Sequence, residues 1–247
     1  SSKIFSTSKP LPENKIHIKT TLKTHSRTSR VGMTMRNLFS FTSRNRCMTN
    51  IKNMKAGKVL KPLNKVPEAA VLVPMCRVNG VPALLYTIRS PELRTHGGQI
   101  CFPGGKINPS ESPTQAALRE TEEEIGLRSS KVEVWGTACP VPGRKGNVLI
   151  TPVIGTVMNL KREDLKMNPK EVTEIFAIPI DTLSNPKSQF YTQFQNGMIL
   201  PVFVADGYKI WGVTAYLTHM FLSSLLPPEV YKNDWISKKV KLHHKQF

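Results

Sequence analysis

Acidic residues are almost absent from the first quarter of the chain. Residues 1–65 contain a single one, Glu13, against 15 lysines and arginines. The remaining residues hold 20 basic and 16 acidic side chains, so most of the net charge of +18 lies before residue 66. A domain that binds nucleic acid through its folded surface would concentrate its positive charge there. We therefore expect no nucleic-acid partner.

Cysteines and long apolar runs are also scarce. The cysteines at 47, 76, 101 and 139 show no paired spacing and no Cys-x-x-Cys. This excludes the usual disulfide framework or zinc site and favours a reducing compartment. No stretch reaches the roughly 18 consecutive apolar residues of a membrane span. The longest apolar-leaning run, 213–226, is interrupted by threonine, histidine and serine, and it predicts a core helix.

Residues 1–65 are rich in Ser, Thr, Lys and Arg and lack sustained apolar periodicity. Such a segment buries too little surface to offset its ordering entropy, so we expect it to be disordered and dispensable for catalysis. It is interpreted as a mitochondrial transit peptide, best represented by MRNLFSFTSRNRCM from Met35, or else as a basic tail. We expect the folded domain at 66–235 and a basic C-terminal tail at 236–247.

A mixed sheet is predicted for the folded part. Apolar runs at 69–78 and 82–88 flank Asn79-Gly80, a pair typical of a hairpin turn. Strands on both sides of one early helix, with a second helix near the end, predict a mixed α/β sandwich. The further strands are predicted at 132–138, 148–157, 175–180 and 200–204.

The early helix is predicted over 112–125. Ser112 is suited to be its N-cap, Pro113 its first residue, and Gln115 the partner that completes a capping box. Gly126 is expected to end it.

Three carboxylates share one stripe of this helix. At 100° per residue, Glu120, Glu123 and Glu124 fall within about 100° of one another. Their mutual repulsion costs a few tenths of a kcal/mol per pair, and a hard cation such as Mg²⁺ would reverse that cost. The alternative is a solvated acidic face.

The spacing around the stripe decides between these readings. It resembles the Nudix box, with a chance match on the order of 10⁻⁸ per starting position. The resemblance implies a Nudix-type α/β/α sandwich, although Thr121 stands where an aliphatic residue is usual. The matching residues are Gly105, Glu111, Arg119, Glu120, Glu123, Glu124, Gly126 and Leu127.

The residues around the helix start have their own expected functions. Gly104 and Gly105 allow a tight turn and a close approach of backbone to phosphate or metal. Glu111 can pair with Arg119 across the loop–helix junction and hold the helix in register. Otherwise this is a surface ion pair that contributes little to stability.

The resemblance also implies the metal chemistry. Glu120 and Glu124 are the main ligands of Mg²⁺ or Mn²⁺, and Glu123 is an additional ligand or a base. Glu174 is a possible further acid from outside the box, with surface exposure as its alternative.

The segment before the box indicates a substrate. Residues 84–90, Arg94, Gly98 and 102–105 resemble the motif that precedes the box in coenzyme A diphosphatases, and 208–215 resembles their C-terminal helix entry. The resemblance covers about residues 66–230. It implies hydrolysis of coenzyme A, and possibly of its acyl esters, to adenosine 3′,5′-bisphosphate and 4′-phosphopantetheine.

Four basic residues are candidates for phosphate contacts. Arg89 and Arg94 could clamp diphosphate oxygens bidentately. Arg144 and Lys145, between two glycines, could meet the 3′-phosphate of coenzyme A, or could simply be solvated. The basic leader, and an ending at Phe247 without Ser-Lys-Leu, make the chain resemble the mitochondrial subfamily member.

Two rival functions stay open at this point. One is a Nudix hydrolase of another nucleoside diphosphate derivative, against which the 84–102 motif argues. The other is a catalytically inactive Nudix-like RNA-binding module, supported by the basic leader and weakened by the complete set of carboxylates.

Overall fold

A computed structural model describes residues 15–18, 37–54, 66–93, 97–143, 146–194 and 197–240. Its helices are α1 (Phe41–Asn53), α2 (Pro113–Ile125), α3 (Ile180–Ser184) and α4 (Gly212–Leu225). Its strands are β1 (Lys15–His17), β2 (Glu68–Val78), β3 (Val81–Arg89), β4 (Ile100–Cys101), β5 (Gly104–Lys106), β6 (Glu133–Thr137), β7 (Val141–Pro142), β8 (Leu149–Val157), β9 (Val172–Pro179), β10 (Gln189–Gln193), β11 (Ile199–Ala205) and β12 (Tyr208–Ile210).

The main sheet has the order β1-β9-β3-β2-β8-β6 and is mixed. The predicted hairpin is present: β2 and β3 are antiparallel, and the turn residues Asn79 and Gly80 have φ of 49° and 81°. Strand β8 runs parallel to β2. The short strands β4, β5 and β7, which the sequence did not predict, pair with β3, β2 and β8. Strands β10, β11 and β12 form a second, antiparallel sheet.

Alternating side chains of the central strands build the two faces of the main sheet. Leu85 packs with Ile125, on the face that α2 covers. Leu84 and Tyr86 point to the other face, where the Tyr86 hydroxyl lies 3.0 Å from that of Thr218 in α4. Because helices cover both faces, the predicted α/β/α sandwich with a mixed sheet is confirmed.

Helix α1 corrects the prediction of disorder before residue 66. Its residues Cys47 and Ile51, and Leu38 just before it, are 0%, 3% and 0% exposed. Arg46 and Asn50 donate from their side chains to the carbonyls of Leu225 and Ser224, both at 2.9 Å, at the C-terminal end of α4. The prediction is wrong for residues 37–54, because packing against α4 buries apolar side chains and stabilises a helix that the local sequence pattern does not predict.

Two further short segments belong to the fold. Strand β1 pairs in parallel with β9, and Ile18 after it is 7% exposed, so residues 15–18 are not disordered either. At the other end, the amide of Tyr191 donates to the Lys238 carbonyl and the amide of Val240 donates to Tyr191, both at 2.8 Å. The expected C-terminal tail is therefore part of the structure up to residue 240. Within the described residues, no helix is long and apolar enough to cross a membrane.

Candidate active site

Local signals position helix α2 as the sequence predicted. The Ser112 hydroxyl accepts from the Gln115 amide at 3.2 Å, and the Gln115 side chain accepts from the Ser112 amide at 2.8 Å. Gly126 ends the helix with φ of 71°. Thr121, the unusual residue of the box, is fully buried, and its hydroxyl donates to the Ala117 carbonyl at 2.6 Å. The substitution is therefore accommodated within the core.

Arg119 ties the loop before α2 to the helix. Its Nε and Nη2 atoms donate to the two carboxylate oxygens of Glu111 at 2.9 and 3.0 Å, and Nη2 also donates to the Lys106 carbonyl at 3.0 Å. The Asn108 amide donates to the same Glu111 carboxylate at 3.1 Å. These hydrogen bonds, that from Arg119 above all, lower the pKa of Glu111. The predicted Glu111–Arg119 pair is present and fixes the register of the helix start.

The same guanidinium also holds two carboxylates of the stripe. Arg119 Nη1 lies 2.9 Å from Glu120 Oε1 and 3.1 Å from Glu123 Oε2. The Glu120 side chain is 19% exposed and that of Glu123 is 53% exposed. Gly104 and Gly105 lie in strand β5 and not in the predicted tight turn, but the predicted close approach is present, because a Cβ on Gly105 would come within 2.3 Å of Glu120 Cδ. Arg119 thus reduces the repulsion expected between the carboxylates of Glu120 and Glu123.

Glu124 is the buried carboxylate of the stripe. Its side chain is 3% exposed, and its two oxygens accept from the Gly104 amide at 3.1 Å and from Arg89 Nη1 at 3.2 Å. Burial raises the pKa of Glu124 to about 7, against the lowering effect of Arg89 and of the Gly104 amide. A nearby cation would favour the charged form of this carboxylate.

The donor set suits a hard cation. Glu120 and Glu124 lie one turn apart on α2, and their carboxylates meet the neighbouring residues Gly105 and Gly104. Throughout the described ranges, no three His, Cys, Asp or Glu side chains lie close enough together to hold a metal unaided. Glu123 shares Arg119 Nη1 with Glu120 and is the most exposed carboxylate of the stripe. Two carboxylates completed by water and phosphate oxygens are a usual Mg²⁺ site.

The remaining predicted residues are placed as follows. Arg89 contacts Glu124, whereas Arg94, Arg144 and Lys145 lie outside the described residues. Glu174 is on the sheet face opposite α2: it lies two residues from Phe176, which packs in the core cluster of α4. Its carboxylate accepts from the hydroxyl of Tyr208.

Comparison with known proteins places this site in a family. The NUDIX domain model matches residues 66–195, which is more than half of the chain. The chain belongs to the Nudix hydrolase family. The matched range contains α2, Gly104 and Gly105 of β5, and Arg89.

Curated relatives extend the similarity. The human protein named "Mitochondrial coenzyme A diphosphatase NUDT8" is 40% identical over 187 residues, which cover 73% of this chain and 78% of the relative. The mouse protein of that name is 44% identical over 64% of this chain and 78% of the relative. "Nudix hydrolase 3" of Caenorhabditis elegans is 33% identical over 85% of this chain and 95% of the relative.

The contact of Arg89 with Glu124 is the feature of this Nudix site that the sequence did not predict. Arg89 was expected to bind phosphate, and no local pattern links it to a carboxylate 35 positions later. Only the pairing of β3 within the sheet that α2 covers brings the two side chains together.

A methyl group on Gly105 tests the close approach of Glu120. We expect Gly105→Ala to lower turnover at least tenfold, since displacing a reacting group by about 1 Å can cost two orders of magnitude. Its Cβ would meet a movable side chain and no backbone, so the melting temperature should fall little. Unchanged steady-state kinetics in Gly105→Ala would contradict the proposed contact.

Proposed function

We propose that this Nudix hydrolase cleaves the diphosphate of coenzyme A, and of its acyl esters, with Mg²⁺ or Mn²⁺. The products are adenosine 3′,5′-bisphosphate and 4′-phosphopantetheine. The observation that carries the proposal is the pair Glu120 and Glu124, held against Gly105 and Gly104 of β5 in a chain 40% identical to a protein named as a coenzyme A diphosphatase.

The proposed chemistry assigns a task to each side chain. Glu120 and Glu124 hold the cation. When bound, a divalent cation neutralises diphosphate charge and lowers the pKa of an attacking water. Arg119 orients Glu120 through a 2.9 Å bond and is itself fixed by Glu111. Glu123 is more than half exposed and pairs with Arg119. It is assigned to serve as an additional ligand or as the base that accepts the proton of the attacking water.

Substrate recognition is assigned to basic side chains. Arg89 and Arg94 contact the diphosphate, while Arg144 and Lys145 contact the 3′-phosphate. A site that pairs arginine and lysine side chains with a phosphate binds less tightly to a compound without that phosphate, because these charged groups are then left unpaired. Coenzyme A is therefore the preferred substrate over compounds that lack the 3′-phosphate.

The test is product analysis of the purified full chain with Mg²⁺ or Mn²⁺. We expect coenzyme A to be cleaved at least about tenfold faster, per lost charged contact, than 3′-dephospho-coenzyme A, ADP-ribose or NADH. Replacing Arg144 and Lys145 by alanine together should remove only the preference for the 3′-phosphate. A strong preference for a nucleoside triphosphate or for NADH would contradict the substrate assignment and leave the Nudix chemistry in place. Absence of any hydrolysis, with salt-dependent binding of RNA, would favour the inactive binding module.

We also propose a mitochondrial location. The support is the name of the human and mouse relatives and the composition of residues 1–36, which hold eight basic residues and one acidic residue. Since α1 packs in the domain, the targeting information is assigned to the segment before residue 37.

A further inference from the structure

Both oxygens of Glu124 are already engaged. Arg89 Nη1 donates to one and the Gly104 amide to the other, and the side chain is 3% exposed. The proposed function, on which this inference rests, requires the same carboxylate to hold the cation. A cation that reaches this oxygen pair must therefore compete with one of its two present donors.

The Gly104 amide cannot give way easily. Gly104 lies in β5 with φ of 150°, and its backbone packs so closely that a Cβ would come within 2.3 Å of the Ala70 carbonyl. Arg89 has a long side chain that is 26% exposed. Of the two donors, the guanidinium is the one that can move.

The two arginines of the site differ in their anchoring. Arg119 binds both oxygens of Glu111 and a backbone carbonyl as well as the stripe. Among the described residues, Arg89 pairs with a single carboxylate, that of Glu124. The other described side-chain partner of Arg89 is the Cys101 thiol, a weak acceptor, so loss of the Glu124 contact leaves Arg89 far less firmly held than Arg119.

We propose that Arg89 is a positioning residue that exchanges Glu124 for the diphosphate of the substrate. The guanidinium pairs with the buried carboxylate until the cation takes it, and then pairs with diphosphate oxygens. A guanidinium matches carboxylate and phosphate with the same fork of donors, so no charge is left unpaired in either arrangement.

The exchange couples two binding events. A bound cation frees Arg89 for the diphosphate, and a bound diphosphate keeps Arg89 away from Glu124. By linkage, each ligand then strengthens binding of the other by the same factor. An arginine that only contacts substrate, apart from Glu124, gives the cation no donor to displace in the absence of diphosphate.

The first measurement is Mg²⁺ affinity by calorimetry without any nucleotide, for the full chain and for Arg89→Gln. Glutamine retains an N–H donor for Glu124 but removes the competing charge. We expect Mg²⁺ to bind about threefold or more tightly to the variant, given that bonds to charged groups are about twice as strong as neutral ones. Arg128→Gln, at an exposed arginine just beyond α2, is the matched control and should leave the affinity unchanged.

The second measurement repeats the titration with inorganic diphosphate present. The gain in Mg²⁺ affinity that diphosphate produces should be smaller in Arg89→Gln than in the unaltered protein. Unchanged or weaker Mg²⁺ binding by Arg89→Gln without diphosphate would overturn the exchange, because a static guanidinium supports a ligand from outside the coordination shell. A protein that binds no Mg²⁺ at all would remove the proposed function as well.

Discussion

Replacing Glu124 with glutamine is expected to lower turnover by at least about two orders of magnitude, and Glu120→Gln should do the same. Each change removes a carboxylate charge from the proposed cation site. The amide oxygen of glutamine can still accept from Gly104 or Arg119, and a charge is removed from a crowded stripe. The melting temperature of metal-free Glu120→Gln should therefore not fall, whereas Glu124→Gln, whose single amide oxygen cannot accept from both Gly104 and Arg89, should fold and melt slightly lower.

Steady-state kinetics at saturating Mg²⁺, with thermal unfolding of the same preparations, test this result. Glu122→Gln provides the matched control, since Glu122 is exposed on the same helix and, among the described residues, its carboxylate accepts from the Ser129 amide at 3.3 Å and pairs with no arginine or lysine. The control should keep nearly full activity. If Glu120→Gln or Glu124→Gln unfolds, or stays near full activity, the ligand assignment is wrong.

Removing residues 1–54 is expected to destabilise the domain severely. The truncation deletes α1 and exposes the surfaces that bury Leu38, Cys47, Met48 and Ile51. At about 1.5–3 kcal/mol per buried apolar side chain, the loss is on the order of 5 kcal/mol or more. The whole stability of a domain is about 5–15 kcal/mol, so the truncated chain should melt far below the full chain or aggregate.

A chain that starts at residue 37 separates folding from targeting. It keeps α1 and loses the three-residue edge strand β1, so we expect a small fall in melting temperature and a turnover close to that of the full chain, while its import into mitochondria should be lost. Calorimetry or thermal fluorescence on both truncations, and cell fractionation on the second, give the answer. Equal melting temperatures for the 55–247 and full-length chains would show that α1 does not stabilise the fold. Import of the 37–247 chain would contradict the assignment of targeting to residues 1–36.

Elements whose causes lie within a few residues could be predicted from the sequence alone. The capping box of Ser112 and Gln115, the left-handed Gly126 and the Asn79-Gly80 turn depend on local backbone geometry, and each stands where it was predicted. The Glu111–Arg119 pair is also local, spanning one loop and two helical turns. Helix periodicity is a local property as well, and it placed Glu120, Glu123 and Glu124 on one stripe of α2.

Features that join distant parts of the chain became visible only in the folded structure. Residues 37–54 read as a basic, aperiodic leader, yet they fold because α4, more than 170 positions later, offers a surface on which they bury apolar side chains. The carboxylates of the stripe look equivalent in sequence, but burial singles out Glu124 and gives it Arg89 as a partner. Burial and charge pairing depend on which surfaces meet across the sheet, and a local residue pattern does not contain that information.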